Sequence, residues 1–149
     1  MKKIIALFLV FLVFMTCEKD DICPEETATT PRLIVRFYDA LLRENTKSVS
    51  GLFVYGINDA DETVFFKNVS ISTTDSIAIP LRTDIDVTKL VFHKDLVDTS
   101  DLLVGNPDVI DVKYKREDVY VSRACGYKAT FTNLETDFII DTDNWISSI

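Results

Sequence analysis

The chain has 149 residues, with 16 basic and 24 acidic side chains, a formal net charge of −8 and 47% hydrophobic residues. A chain of this size supports one domain with a real core. It carries no Lys/Arg-dense stripe to replace the counterions of a nucleic acid, and its charge equally opposes electrostatic docking on anionic lipid.

Residues 1–16 read as a leader. Lys2 and Lys3 precede an apolar run from Ile4 to Met15, the n- and h-regions of a secretory signal. The run falls short of the roughly 20 apolar residues that a helical membrane span needs. Phe14-Met15-Thr16-Cys17 resembles the lipobox of bacterial lipoproteins, in which the cysteine is acylated and becomes the mature N-terminus. Thr16 is small, although Gly, Ala or Ser is commoner there. Cys17 is therefore the candidate lipidation site. The alternative is an ordinary signal peptide with Cys17 incidental, but no better small-x-small cleavage site follows. Cys17-Glu18-Lys19-Asp20-Asp21 resembles the C-x-K-[DE]-[DE] export signal of Bacteroidota lipoproteins, with Lys19, Asp20 and Asp21 as its signal residues. It implies an outer-membrane, lipid-anchored, cell-surface protein; a solvated charged tether is the other reading.

Removing residues 1–16 takes away Lys2 and Lys3 and no acid, so 14 basic and 24 acidic side chains remain and the net charge falls to −10. Anchoring then falls to the acyl chains; one chain binds a membrane only marginally, whereas several hold. With Cys17 acylated, Cys23 and Cys125 are left in an exported protein, where oxidation is the default. They are expected to form a disulfide, with two buried free thiols as the alternative. The bond would close a loop of about 100 residues, worth at most roughly 4–5 kcal/mol in the chain-entropy model. Five residues separate Cys17 from Cys23, a span of at most about 20 Å, so the bond would hold the folded domain close to the membrane. With one histidine and no C-x-x-C, no metal or cofactor is expected.

Residues 17–31 form the lipidated tether, ending in the polar, proline-bounded stretch Pro24 to Pro31, which reads as extended. A single domain then spans 32–149. Leu33, Val35 and Phe37 alternate with Arg36 and Tyr38, as a strand requires. Asp39 to Lys47 could hold a turn or two of helix with Leu41 and Leu42 inward. Leu52 to Ile57 and Thr63 to Lys67 bracket Asn58 to Asp61 as a hairpin. Val69 to Ser72 and Ser76 to Leu81 bracket Thr73-Thr74-Asp75 as a second, with Pro80 ending its strand or placing it at an edge. Further strands are expected at Thr88 to His93, Val109 to Tyr114, Asp118 to Ser122, Gly126 to Asn133 and Asp137 to Ile140, and a long loop at Asp95 to Pro107. Ile110, Val112 and Tyr114 alternate with Asp111, Lys113 and Lys115, and Tyr127, Ala129 and Phe131 with Lys128, Thr130 and Thr132. One apolar and one wet face indicate antiparallel sheet. The whole reads as an all-β, antiparallel β-sandwich of about 7–9 short strands, immunoglobulin-like or transthyretin-like.

ICPEETATTPRLIVRFYD near the start and SRACGYKATFTNL near the end resemble a family of small Bacteroidota lipoproteins whose shared domain has no known function. The resemblance covers nearly all of the mature chain. It implies one β-rich domain in which Cys23 and Cys125 work as a pair, and no active site.

Catalytic signatures are missing. His93 is the one histidine, no G-x-S-x-G occurs and the four glycines are scattered, so neither a nucleophile elbow nor a phosphate-cradling loop is present. His93 reads as an ordinary strand residue, and no enzyme is expected. Acidic turns at Asp59-Asp61-Glu62, Asp84-Asp86 and Asp141-Asp143-Asn144 lack the EF-hand pattern, and each reads first as a solvated turn. Tyr38, Tyr55, Tyr114, Tyr120 and Tyr127 mostly alternate into core positions. Trp145, the sole tryptophan, reads first as a core residue; exposed, it would be a sugar platform beside Asp141 and Asp143. Asp75-Ser76-Ile77 weakly resembles an O-glycosylation site of Bacteroidota exported proteins. The leading expectation is a lipid-anchored accessory or structural subunit of an envelope complex. A surface module binding a glycan or other nutrient is the alternative.

Overall fold

The computed structural model describes residues 22–27, 29–99 and 102–149, and their side chains except at 98, 99, 102 and 103. The leader 1–16, Cys17 and the Lys19, Asp20 and Asp21 signal lie outside the described residues. Eight strands are described, with no helix: β1 (Leu33–Arg36), β2 (Val49–Ile57), β3 (Thr63–Val64), β4 (Ser72–Thr74), β5 (Ser76–Ile79), β6 (Val87–Thr99), β7 (Leu102–Ser122) and β8 (Gly126–Ile139). The chain is all-β and its described ladders are antiparallel. It divides into two compact units, one of Thr30–Glu117 with Ala129–Ile149, the other of the segment up to Thr29 with Asp118–Lys128.

In the larger unit, one sheet runs β3-β2-β6-β7-β8 with β4 also on β2, and a second sheet pairs β1 with β5. Period-two alternation sends Leu52 and Val54 of β2, Leu90 and Phe92 of β6, and Ile110, Val112 and Tyr114 of β7 to one buried face. Leu33, Val35 and Ile77 of the small sheet pack against that cluster, so the core lies between two unequal sheets. Each such side chain contributes about 1.5–3 kcal/mol when fully buried. Thr88 Oγ1 and Tyr114 Oη lie 2.7 Å apart within the core, and the Tyr114 hydroxyl donates to the Arg82 carbonyl at 2.8 Å.

Four expectations change. Thr73 to Asp75 does not turn a hairpin: β4 pairs with β2, whereas β5 pairs with β1 through Leu33↔Ile79 and Val35↔Ile77. Thr74 Oγ1 donates to the Ser76 carbonyl at 2.9 Å and accepts from the Ser76 amide at 3.3 Å. This local bend moves the chain from one sheet to the other, and β5 stops one residue before Pro80.

No helix forms at Asp39 to Lys47. Asp39 Oδ1 accepts the Leu41 and Leu42 amides at 2.9 and 3.1 Å, and Oδ2 takes the Lys47 ammonium at 2.8 Å. The side chain thus outcompetes a helical ladder. Tyr38 bridges Thr46, and Leu41 and Leu42 point to solvent, 92% and 62% exposed.

Asp95 to Pro107 is not a loop. A bulge between Lys94 and Val97 with Asp95 at φ 52° lets the ladder resume at Val97↔Val104 and run to Thr99↔Leu102. The last three strands are accordingly long, with 13, 21 and 14 residues, and absorb five of the expected short runs. Finally, Tyr38, Tyr120 and Tyr127 are exposed rather than in the core; alternation assigns a face but not whether anything covers it.

Gly51 faces the bulge of β6. Its φ is +54°, and a Cβ there would lie 2.7 Å from the Leu96 amide nitrogen. Both the left-handed backbone and the close approach exclude a side chain. Gly51→Ala is expected to destabilise the fold by about 2 kcal/mol or more, since strain and a backbone shift add; a urea titration measures it.

In the smaller unit, Cys23 and Cys125 are disulfide-bonded with Cα atoms 4.8 Å apart, as expected. Arg123 to Cys125 form the turn between β7 and β8, where the Cys125 amide donates to Ser122 Oγ at 3.0 Å and Gly126 takes φ 68°. Opposite it, the Thr27 amide donates to the Pro24 carbonyl at 3.0 Å.

Candidate functional site

The sheet face turned away from the core is aromatic. In β2, Leu52-Phe53-Val54-Tyr55 is apolar at every position, so when Leu52 and Val54 enter the core, Phe53 and Tyr55 occupy the opposite face. Register places Phe53 beside His93 and Tyr55 beside Val91 of β6. Phe65, just after β3, closes the group. Its ring lies 6.0 Å from Phe53 and 5.9 Å from Tyr55, and Phe53 lies 6.1 Å from Tyr55. The His93 ring is 5.5 Å from that of Tyr55. These separations suit edge and tilted aromatic contacts. Phe65 is 62% exposed, so the cluster presents ring surface to solvent, the composition that protein interfaces favour.

His93 lies under this cluster, 6% exposed. Its Nε2 is 3.3 Å from the Tyr55 hydroxyl, and among the described residues its Nδ1 has no hydrogen-bond partner. Burial lowers the His93 pKa and raises that of Tyr55. The unfolded chain therefore takes up the proton near the ordinary histidine pKa of about 6.5, before the native state does. The stability this group contributes is full above that pH and lost as pH falls toward the lowered native value. Stability is expected to decline between neutral pH and pH ~5, and His93→Phe to flatten that slope. Urea midpoints across the range test it. Asp39 and Asp84, held down to about 2 by Lys47 and Arg82 respectively, act only at lower pH.

A cleft of about 240 Å³ opens beside β2 and β6, lined by Gly56, Val64, Phe66, Leu81, Arg82 and Lys89. At its mouth Arg82 pairs with Asp59 at 2.6 Å and with Asp84 at 2.5 Å. Two of the acidic turns are thereby fastened to one guanidinium, which ties the β2–β3 turn to the segment before β6.

A second construction sits in the same unit. Asp108 of β7 shares the core parity of Ile110 and is fully buried. Its Oδ2 accepts the Trp145 amide at 3.1 Å and the Ile146 amide at 2.7 Å, and its Oδ1 accepts the Asn144 side-chain amide at 3.2 Å. Asn106 Nδ2 also donates to the Asp143 carbonyl at 2.6 Å. The C-terminal segment is thus a strap held on the sheet by a buried carboxylate.

Residues 51–149 match the family of unknown function DUF6452. The chain belongs to this family. No curated protein matches the chain, and no solved structure does. The DUF6452 span contains the aromatic face, the cleft, Cys125 and the strap, and leaves β1 and Cys23 outside it.

Within that DUF6452 span, the strap fixes Trp145, Asp141 and Asp143, for which ligand binding is the second reading after core packing and a solvated turn. Trp145 packs against the core with its ring 5.7 Å from Phe37, and its indole N–H donates to the Phe92 carbonyl at 3.4 Å. Asp141 Oδ1 accepts the Asp143 amide at 3.1 Å, while Asn144 Oδ1 accepts the Asp141 amide at 2.7 Å. The acidic turn is folded on its own backbone. Among the described residues no group of three or more His, Cys, Asp or Glu side chains is placed to hold a metal ion. Ser76 is half-buried in β5. Sequence reasoning missed Asp108 and the Phe53–Tyr55–Phe65 cluster.

Proposed function

We propose that this DUF6452 protein is a non-enzymatic outer-membrane lipoprotein, anchored through Cys17 and displayed at the cell surface. It serves as an accessory or structural subunit of an envelope complex. The Lys2-to-Met15 leader, the Cys17 lipobox, the Lys19-Asp20-Asp21 signal and the likeness to small Bacteroidota lipoproteins support the address. The observation that carries the docking role is the aromatic face of Phe53, Tyr55 and Phe65, with Phe65 open to solvent. An aromatic patch partly open to solvent on a sheet face suits a protein surface. A glycan platform at Trp145 has less in its favour, because that indole is engaged with Phe37 and the Phe92 carbonyl.

Crosslinking of the tagged lipoprotein in its native membrane, followed by mass spectrometry, tests the role. The expected result is one stoichiometric envelope protein that Phe65→Ser removes while the variant keeps its fold. A solitary lipoprotein, or a partner indifferent to Phe65→Ser, contradicts it.

A further inference from the structure

The smaller unit carries exposed apolar side chains. Ile22 is 81% exposed, Val119 41%, Tyr120 55% and Tyr127 70%. Tyr120 and Tyr127 stack edge to face at 5.4 Å, so the hairpin tip presents a preformed tyrosine pair. Tyrosine has an apolar body and a polar hydroxyl, and such rings concentrate where hydrocarbon meets water.

What brings this tip to such an interface is the disulfide. Cys125 of the turn is bonded to Cys23, and only five residues lie between Cys23 and Cys17. Those residues span at most about 20 Å fully extended, whereas the headgroup layer of one leaflet is about 5–8 Å thick. With Cys17 acylated, Ile22, Tyr120 and Tyr127 are confined within a few headgroup thicknesses of the bilayer. Confinement raises the effective concentration of the tip at the membrane, so a contact too weak to bind alone becomes populated. The net charge of the mature chain, −10, leaves apolar and aromatic contact rather than charge to supply the attraction.

We infer that the Tyr120–Tyr127 hairpin tip is a second membrane contact, seated in the phospholipid headgroup interface beside the lipid anchor. The inference rests on the anchored reading above and deepens it. The tip fixes the orientation of the chain on the bilayer, where acyl chains alone would leave it free to swivel.

The test uses the full lipidated chain in phosphatidylcholine vesicles, with a benzophenone side chain at position 127 or, as control, at position 65. The expected result is flotation with the vesicles and, on irradiation, several-fold more lipid adduct at 127 than at 65, read by mass spectrometry. Flotation with no excess of lipid adduct at 127 overturns the inference and leaves the anchor standing. Adduct at 127 to protein instead of lipid also overturns it, making the tip a protein contact. Failure to float overturns the anchored reading, and the inference falls with it.

Discussion

Asp108→Ala is expected to lower the unfolding free energy by about 3–5 kcal/mol, a large share of the 5–15 kcal/mol typical of a domain. The carboxylate is fully buried and receives two backbone amides and one side-chain amide. Removing it leaves the Trp145 and Ile146 amides without partners, each at a cost of about 1–3 kcal/mol where water cannot replace the lost oxygen, and strips the Asn144 amide of one of its two acceptors. The strap also carries Trp145 and Ile146, which pack on the core, so loosening it exposes apolar surface as well. Asp108→Asn keeps one oxygen for the amides but turns an N–H toward a donor, and a smaller loss is expected. Since Trp145 is the sole tryptophan, its fluorescence reports strap release directly. In Asp108→Ala the emission should shift to the red at denaturant concentrations below the wild-type midpoint. A variant with the wild-type midpoint would show that the strap contributes nothing to stability.

Loss of the Cys23–Cys125 bond is expected to be comparably costly. The two cysteines are 102 positions apart, and a loop of about that length removes up to roughly 4–5 kcal/mol of unfolded-state entropy in the chain-entropy model. The paired Cys23→Ser and Cys125→Ser variant, or reduction of the native protein, should therefore lower the urea midpoint by a corresponding amount. The protein should depend on an oxidising compartment to reach its full stability. An unchanged midpoint on reduction would remove the disulfide from the account of the fold.

Several features were readable before the structure because a single local rule decides them. Leu33, Val35 and Phe37 share one parity and Ile110, Val112 and Tyr114 another, and each set lies at the core as period two demands. The cysteine pair followed from counting thiols in a chain expected to be exported. Asp108 escaped notice because the expected strand begins at Val109 and the expected loop ends at Pro107, which leaves this acid in neither. Its parity with Ile110, Val112 and Tyr114 was the available signal, since that parity places it inward. The aromatic face escaped for a related reason. Leu52-Phe53-Val54-Tyr55 is apolar on both parities, which marks a strand with something to cover on each face, whereas a one-sided core was assumed. The Thr74–Asp75 bend and the Asp95 bulge depend on which strand comes alongside. Long-range pairing of that kind is not encoded in the turn residues themselves.

The two proposed contacts divide the molecule's work between its units. The disulfide-bonded tip is the part closest in sequence to the proposed anchor, and the aromatic face belongs to the larger unit, which carries the hydrophobic core. A docking surface gains from such backing, because a rigid sheet loses little side-chain and loop freedom on association. Phe65 is the residue on which the account is most exposed to test. It is the most open ring of the cluster, and it lies outside the buried core.

The decisive measurement is photo-crosslinking in living cells, with a benzophenone side chain at position 65 and, as control, at position 140, where Ile140 is 83% exposed and far from the cluster in sequence. The account predicts that position 65 captures one envelope protein in high yield and that position 140 does not. Equal capture at both positions, or none at 65 in cells where the protein is folded and membrane-bound, would contradict it.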